Sequence, residues 1–370
     1  MECGDSSPLC RSKGQSADKW AHSKSSGAPS RLLALDWLRG FAVLVMVECH
    51  TFNALMSPSF RSTTWFSILN QLDGMVAPAF LLVSGAVIGL NLQGRWDKVV
   101  NFESAWRKLW RRIGEVFLVA YLLHFPGQLL WQFAGPQAAH WLAMWTKVDI
   151  LQCIGASLAL IVVLVPLARS PKLHRIVCLV LGVVAVTSVQ PVTRWAVGSS
   201  IPTWLLNYLW PADVGTFPLV PWSAYLLMGV WLGPAMFFQQ PRSQQTLRAV
   251  LAAGCFIAAS TFMGSTQTYD APFVFSRMGW VMIGLAACCW LGKPVRGTQW
   301  LLEFGQLSLW SYTVHLIIVY SILGSLLGPR FSPAITMLWM VGVLCVTALV
   351  VRWRAKSLQR KAALRMMPAT

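Results

Sequence analysis

Residues 31–52 read RLLALDWLRGFAVLVMVECHTF, and this stretch decides the class of fold. It is apolar over the roughly 20 residues that a helix needs to cross a bilayer. On a helix, Asp36, Arg39 and His50 fall on one stripe, with Asp36 and Arg39 spaced to pair at one end. His50 lies about 16 Å farther along the axis than Arg39. Ionisable groups in a membrane are costly, so the stripe predicts a functional site on a spanning helix.

Apolar runs of similar length recur along the rest of the chain. Hydrophobic residues make up 56% of the sequence and charged residues only 12%, about half the charged share of soluble domains. This composition excludes disordered, collagen-like and disulfide-scaffold classes and predicts an all-α, polytopic membrane helix bundle of about ten spans. The predicted spans are 32–56, 66–92, 113–134, 148–168, 174–190, 217–238, 246–264, 273–292, 300–327 and 334–353.

The distribution of basic residues predicts the orientation of these spans. Of 30 Lys and Arg residues, most fall in segments that share one side if the N-terminus is cytoplasmic. Only Arg61, Lys147, Arg194 and Arg330 fall in loops on the other side. This bias predicts an even number of spans with both termini cytoplasmic. The net charge of +17 then reflects contact with the anionic inner leaflet rather than with nucleic acid.

The termini differ from the apolar middle in composition. Residues 1–30 are rich in Ser, Gly, Lys and Pro and lack the apolar run of a cleavable signal, which predicts a disordered cytoplasmic tail. Residues 31–353 form the predicted membrane domain, and residues 354–370 form a basic cytoplasmic tail. The Trp-rich outer loop at 191–216 is interpreted as a substrate cover or as an interfacial anchor.

Ionisable residues in later runs extend the candidate site. Asp73 lies near the outer end of the second run, and Arg277 lies near the outer end of the eighth. In the ninth run, Ser308, Tyr312 and His315 share one helical face, and His315 has a depth close to that of His50. We therefore expect His50, Asp73, Arg277 and His315 to line one outward-leaning cavity. The nine Cys residues show no metal-ligand spacing, so no metal site is predicted.

Five motifs make the chain resemble a known family. The first helix carries Asp36-x-x-Arg39-Gly40 with His50 eleven residues after Arg39, and this pattern resembles the transmembrane acyltransferase superfamily. That superfamily includes the acyltransferase-three family and the heparan-α-glucosaminide N-acetyltransferase-like proteins. The other similar stretches are Ala77-Pro78-x-Phe80, Asp149-Ile150-Leu151-Gln152, Phe217-Pro218-Leu219-x-Pro221-Trp222 and Gly305-x-x-Ser308-x-x-x-Tyr312-x-x-His315.

The resemblance implies transfer of an acyl group, expected to be acetyl, from cytoplasmic acyl-CoA to a hydroxyl or amine of an extracytoplasmic glycan or glycolipid. His50 is the expected general base or acyl carrier, with Asp73 and His315 as the alternatives or as orienting groups. Arg39 and the cluster of Arg107, Arg111 and Arg112 are expected to bind the phosphates of CoA, and Arg277, Tyr312 and Ser308 to bind the acceptor. The expected location is a bacterial inner membrane, and the oligomeric state stays open.

A proton-coupled secondary transporter or flippase is the main alternative, because it too places ionisable residues within the membrane. Transporters commonly contain two structural repeats with matching broken helices. The first-helix pattern has no counterpart in the second half of the sequence. A channel is less well supported, since no ring of like charges or filter-like Gly run is evident.

Overall fold

The computed structural model of the protein describes residues 32–126, 138–210, 216–264, 269–292 and 297–366. Within these ranges every regular element is helical, and an isolated bridge joins Met56 to Phe331. The predicted N-terminal tail and part of the third predicted span lie outside the described residues. The helices are α1 (Leu33–Leu55), α2 (Thr64–Asp73), α3 (Val76–Val100), α4 (Ser104–Leu123), α5 (Ala138–Trp145), α6 (Ile150–Val163), α7 (Pro171–Thr187), α8 (Val189–Val197), α9 (Thr203–Leu209), α10 (Leu219–Phe237), α11 (Arg242–Met263), α12 (Ala271–Leu291), α13 (Gln299–Gln306), α14 (Ser308–Leu316), α15 (Ser325–Leu327) and α16 (Pro333–Met366).

Six segments are long and apolar enough to cross a membrane, or up to seven if the bent pair α7–α8 forms one span. The chain is therefore an all-α, multi-pass membrane protein in the part that the structure describes. Each of the ten predicted runs contains a helix, but α1 and α4 carry ionisable residues and α6 has only 14 residues. The count of ten spans and the cytoplasmic position of both termini stay predictions.

Glycines allow α3 and α10 to pack backbone against backbone. A Cβ atom at Gly85 would collide with the carbonyl oxygen of Leu226, and one at Gly229 would collide with that of Leu82. Gly233, one turn farther along α10, faces α3 in the same way. Small residues at helix crossings in a membrane permit this close approach, which increases van der Waals contact between the helices. We call this contact the glycine seam.

A second close crossing joins the first helix to the ninth predicted run. A Cβ atom at Gly40 would collide with the carbonyl oxygen of Leu301, and one at Gly305 would collide with that of Asp36. The ninth run is not one straight helix, because it breaks at Leu307 between α13 and α14 and continues as a π-helical segment, Ile317–Gly324. The crossing holds α14 alongside the C-terminal half of α1.

The second predicted run also breaks, between α2 and α3. Pro78 has no N–H to donate to the carbonyl of Gly74, so the helical ladder is interrupted there. The ladder resumes where Ala79 donates its backbone N–H to the Met75 carbonyl at 3.0 Å. The break leaves Asp73 as the last residue of α2, at a helix end rather than within a continuous helix.

Candidate active site

A cavity of about 850 Å³ lies between α1, α3, α4, α6 and α14. This volume falls within the range of small-molecule sites, about 300–1,000 Å³. Of the predicted catalytic residues, His50 and Asp73 line it directly. Of the predicted acceptor-binding residues, Ser308 and Tyr312 line it.

His50 on α1 and His315 on α14 meet at the cavity wall. The Nδ1 atom of His50 and the Nε2 atom of His315 are 2.9 Å apart, and the two rings stack with their centroids 5.2 Å apart. His315 is fully buried behind His50, and its Nδ1 atom lies 2.7 Å from the Ser311 carbonyl oxygen. The sequence-based prediction that the two histidines share one depth is consistent with this contact.

These hydrogen bonds determine where the protons lie on the two rings. The Ser311 carbonyl only accepts, so Nδ1 of His315 carries the hydrogen and donates it. Nε2 of a neutral His315 is then an acceptor, and Nδ1–H of His50 donates to it. Nε2 of His50 is left with its lone pair, as a general base requires.

Aromatic rings enclose the histidine pair. Tyr320, in the π-helical segment, lies 5.5 Å from the His50 ring, measured between centroids. Tyr312 packs edge-on against His315 at 5.7 Å. π-Helical segments often occur at functional sites because they redirect side chains by part of a turn. Here the segment begins two residues after His315 and brings Tyr320 to the cavity.

Asp149 is a cavity residue that sequence reasoning did not select as a site residue, although its motif was noted. Its Oδ2 atom accepts a hydrogen bond from the Tyr312 hydroxyl at 2.9 Å and lies 3.3 Å from Nε2 of His124. His124 is the C-cap of α4 and not an interior residue of a longer helix. The signal for this group was present in the sequence as an Asp before an apolar run and a His beside Pro126.

Asp73 lies beside a second carboxyl group. Glu48, on α1, is within hydrogen-bonding reach of Asp73, and Cys49 also adjoins it. Glu48 is buried and lies on a different face of α1 from His50. Asp73 therefore places a carboxyl group on the cavity wall, with Glu48 beside it.

The basic residues of α4 lie at one end of the cavity. Arg112 lines it and pairs with Glu115, with its Nη1 atom 3.2 Å from the carboxylate. Arg111 is exposed and lies 3.7 Å from the same carboxylate, whereas Arg107 is exposed a turn earlier. Arg39 on α1 lies close enough to interact electrostatically with both Asp36 and Arg112. Of the four residues predicted to bind the phosphates of CoA, Arg112 is the one that lines the cavity.

The structure corrects the predicted position of Arg277. Its guanidinium group lies against Gly74, where a Cβ atom would collide with it, and 4.2 Å from the Phe273 ring centroid. It is not among the residues that line the cavity. The reason is that the Arg277 side chain turns toward the Gly74 backbone and two tyrosines, Tyr225 and Tyr269, rather than toward the cavity. Helical periodicity gave its depth but not the side of α2 on which it lies.

Segments from the predicted outer loops close the other end of the cavity. Thr203 and Asn207 of α9 line it, together with Lys147 and Thr216. Tyr208, the next residue of α9, points away from the cavity and hydrogen-bonds the Tyr121 hydroxyl at 2.6 Å. Burial and this bond raise the pKa of Tyr208 above its ordinary value, so the phenol stays neutral. In the loop interpreted as a substrate cover, the neutral hydrogen-bonding groups that reach the cavity are those of Thr203, Asn207 and Thr216, and Tyr208 is not among them.

No group of three His, Cys, Asp or Glu side chains suited to a metal ion occurs in the described parts of the chain.

The helical fold and the cavity define a class of protein: a multi-pass membrane protein with a polar, histidine-lined chamber between its helices. A family model described as an acyltransferase domain matches residues 32–353. The chain belongs to this acyltransferase-3 family, and the resemblance seen in its motifs is confirmed. No curated protein is significantly similar to it. Family membership supports a transferase of the membrane superfamily. The family alone does not identify the donor, the acyl group or the acceptor.

Proposed function

We propose that the protein transfers an acyl group, most simply acetyl, from cytoplasmic acyl-CoA to a hydroxyl or amine of an extracytoplasmic glycan or glycolipid. The observation that carries this proposal is the histidine pair on the wall of a cavity that has Arg112 at one end and Thr203, Asn207 and Lys147 at the other. A CoA thioester has anionic phosphates, which arginine binds well. A sugar offers hydroxyl groups, which Thr203 and Asn207 match by hydrogen bonding.

The arrangement of the histidines suits a direct transfer. Nε2 of His50 takes the proton from the acceptor hydroxyl as its oxygen attacks the thioester carbonyl carbon. The C–S bond then breaks, and the imidazolium of His50 returns the proton to the leaving thiolate, so that free CoA and the acyl ester are the products. His315 accepts the Nδ1–H bond of His50 throughout, which orients the ring and stabilises its positive charge. An acyl-histidine intermediate on Nε2 uses the same geometry in two steps.

The proposed orientation follows from the basic residues. Arg39 and Arg112, with the exposed Arg107 and Arg111, form the cytoplasmic mouth, and α9 with the other outer segments faces the extracytoplasmic side. This arrangement rests on the positive-inside bias and on ten spans with both termini cytoplasmic. The same reasoning gives a cell membrane location, with a bacterial inner membrane as the proposed host. Residues 1–30 and 354–370 are then cytoplasmic tails.

The test uses the purified full-length protein in detergent with acetyl-CoA labelled in its acetyl group. We expect release of the CoA thiol and appearance of label in water, in the protein or on an added neutral sugar. His50→Ala abolishes both signals, with a loss of about 10²–10⁴-fold that is typical of removing a general base. His174→Gln is the matched control, because His174 is a buried histidine that bonds the Ile161 carbonyl outside the cavity.

Absence of both acetyl-CoA binding and turnover in the wild-type protein would contradict the proposal. Substrate counterflow in vesicles without acyl-CoA would then favour a transporter, with His50 as its proton-coupling residue. Full turnover in His50→Ala would move the general base to Asp73 or His315.

A further inference from the structure

A chain of contacts leads from the end of α4 to the histidine pair. It runs from His124 to Asp149, from Asp149 to Tyr312, and from Tyr312 to His315, which bonds His50. The first three residues lie on different elements, namely the C-cap of α4, the N-cap of α6 and α14. All three line the cavity, whereas His315 lies behind it.

His124 lies beside Asp149 on the cavity wall. Its Nδ1 atom lies 3.0 Å from the Ala120 carbonyl oxygen, and its Nε2 atom lies 3.3 Å from Oδ2 of Asp149. The same carboxylate oxygen accepts a hydrogen bond from the Tyr312 hydroxyl. His124 and Tyr312 therefore contact Asp149 from two elements, α4 and α14.

His124 packs against the carboxylate of Asp149, which is the acceptor for Tyr312. The bond from the Tyr312 hydroxyl holds the tyrosine ring, and the ring edge packs at 89° against the face of His315. His315 is also held by the Ser311 carbonyl, so its ring is held from two directions. A reacting group that moves by about 1 Å loses about 10²-fold in rate, so this support matters to a base that must meet its substrate.

We propose that Asp149 is a positioning residue for the histidine pair, with its effect transmitted through Tyr312. This assignment gives Tyr312 a supporting role in place of the acceptor-binding role expected from sequence. It rests on the proposed acyl transfer for its kinetic test, and a second measurement tests it without turnover.

The kinetic test is a double-mutant cycle on acetyl-CoA turnover by the full-length protein. Asp149→Leu and Tyr312→Phe each lower kcat about 10- to 100-fold and leave the KM for acetyl-CoA unchanged. The double variant is no slower than Asp149→Leu, because both changes break one chain. Asp149→Asn recovers part of the rate, since its amide oxygen still accepts from Tyr312. The matched control, Tyr208→Phe, loses a buried hydroxyl bond outside the cavity and keeps the wild-type kcat.

The second measurement is the rate at which diethyl pyrocarbonate modifies His50 and His315, followed by peptide mass spectrometry. Asp149→Leu and Tyr312→Phe raise this rate to the same extent, and Tyr208→Phe leaves it unchanged. Multiplicative losses in the cycle, a raised KM with an unchanged kcat, or unaltered histidine modification would each overturn the proposal. If the wild-type protein shows no turnover but the modification rates change as expected, the positioning role stands and the acyltransferase proposal fails.

Discussion

Two helix contacts in this protein are built in opposite ways. In the glycine seam, α3 and α10 meet through their backbones, and no polar side chain is needed to join them. At the histidine pair, α1 and α14 meet through two imidazole rings joined by one hydrogen bond beside a cavity. The α3–α10 contact leaves no room for a substrate, whereas the α1–α14 contact borders a cavity of about 850 Å³. The difference indicates that the α3–α10 crossing contributes stability and the α1–α14 crossing contributes chemistry. Mutations at the two crossings should therefore change the free energy of unfolding and the rate of turnover separately.

The largest effect is expected from breaking the seam. Gly229→Val places a branched side chain against the Leu82 carbonyl and forces α3 and α10 apart, at a cost of about 3 kcal/mol in the free energy of unfolding. We expect loss of folded protein in size-exclusion chromatography and thermal unfolding. Gly254→Ala on α11 is the control, because nothing lies within 4 Å of the added Cβ atom. A normal thermal midpoint for Gly229→Val would show that the seam carries little of the stability.

A smaller effect, confined to substrate binding, is expected at the cationic mouth. Arg112→Gln removes the guanidinium group from the cavity wall and raises the KM for acetyl-CoA about 10-fold with little change in kcat, because it removes binding common to ground and transition states. Raising the salt concentration should reduce the difference from wild type, since an exposed charge is screened. A fall in kcat at constant KM would place Arg112 in the chemical step instead.

The smallest effect is expected at Arg277. The sequence predicted that this residue lines the cavity, and in the structure it does not. Arg277→Gln should change kcat and KM for acetyl-CoA by less than about 2-fold, because the guanidinium group is not on the cavity wall. The thermal midpoint should fall slightly, because the contact with the Phe273 ring is lost. A large rise in the KM for an acceptor sugar would restore Arg277 to the acceptor site.

The sequence was informative where one helix carries its own signal. Apolar runs predicted the helices, and the similar depths of His50 and His315 in their helices predicted that the two residues lie in one site. The bond from Tyr312 to Asp149 joins residues 163 positions apart and depends on where α6 begins, which periodicity does not report. The position of Arg277 behind Gly74 depends on how α12 packs against α2 and α3. The sequence therefore did not predict which helices pack together or which way each helix faces.

The breaks within helices were only partly foreseeable. A proline within an apolar run disturbs a helix, and the break in the second run lies four residues before Pro78, where the missing N–H leaves the Gly74 carbonyl without its helical donor. The π-helical segment after His315 has no Pro or Gly at its start, and we found no signal for it in the sequence. It arises where α14 must satisfy both the His50 contact and the approach of Tyr320 to the cavity.

The most direct test of the central claim is a double-mutant cycle on the histidine pair, measured as CoA release from acetyl-CoA together with the thermal midpoint of each sample. The account predicts that His50→Gln loses nearly all turnover, that His315→Gln loses about 10- to 100-fold, and that the double variant equals His50→Gln. It also predicts midpoints close to wild type, because the glycine seam is intact in all three variants. Substantial turnover in His50→Gln, or losses that multiply in the double variant, would contradict the claim that the two histidines act as one catalytic unit.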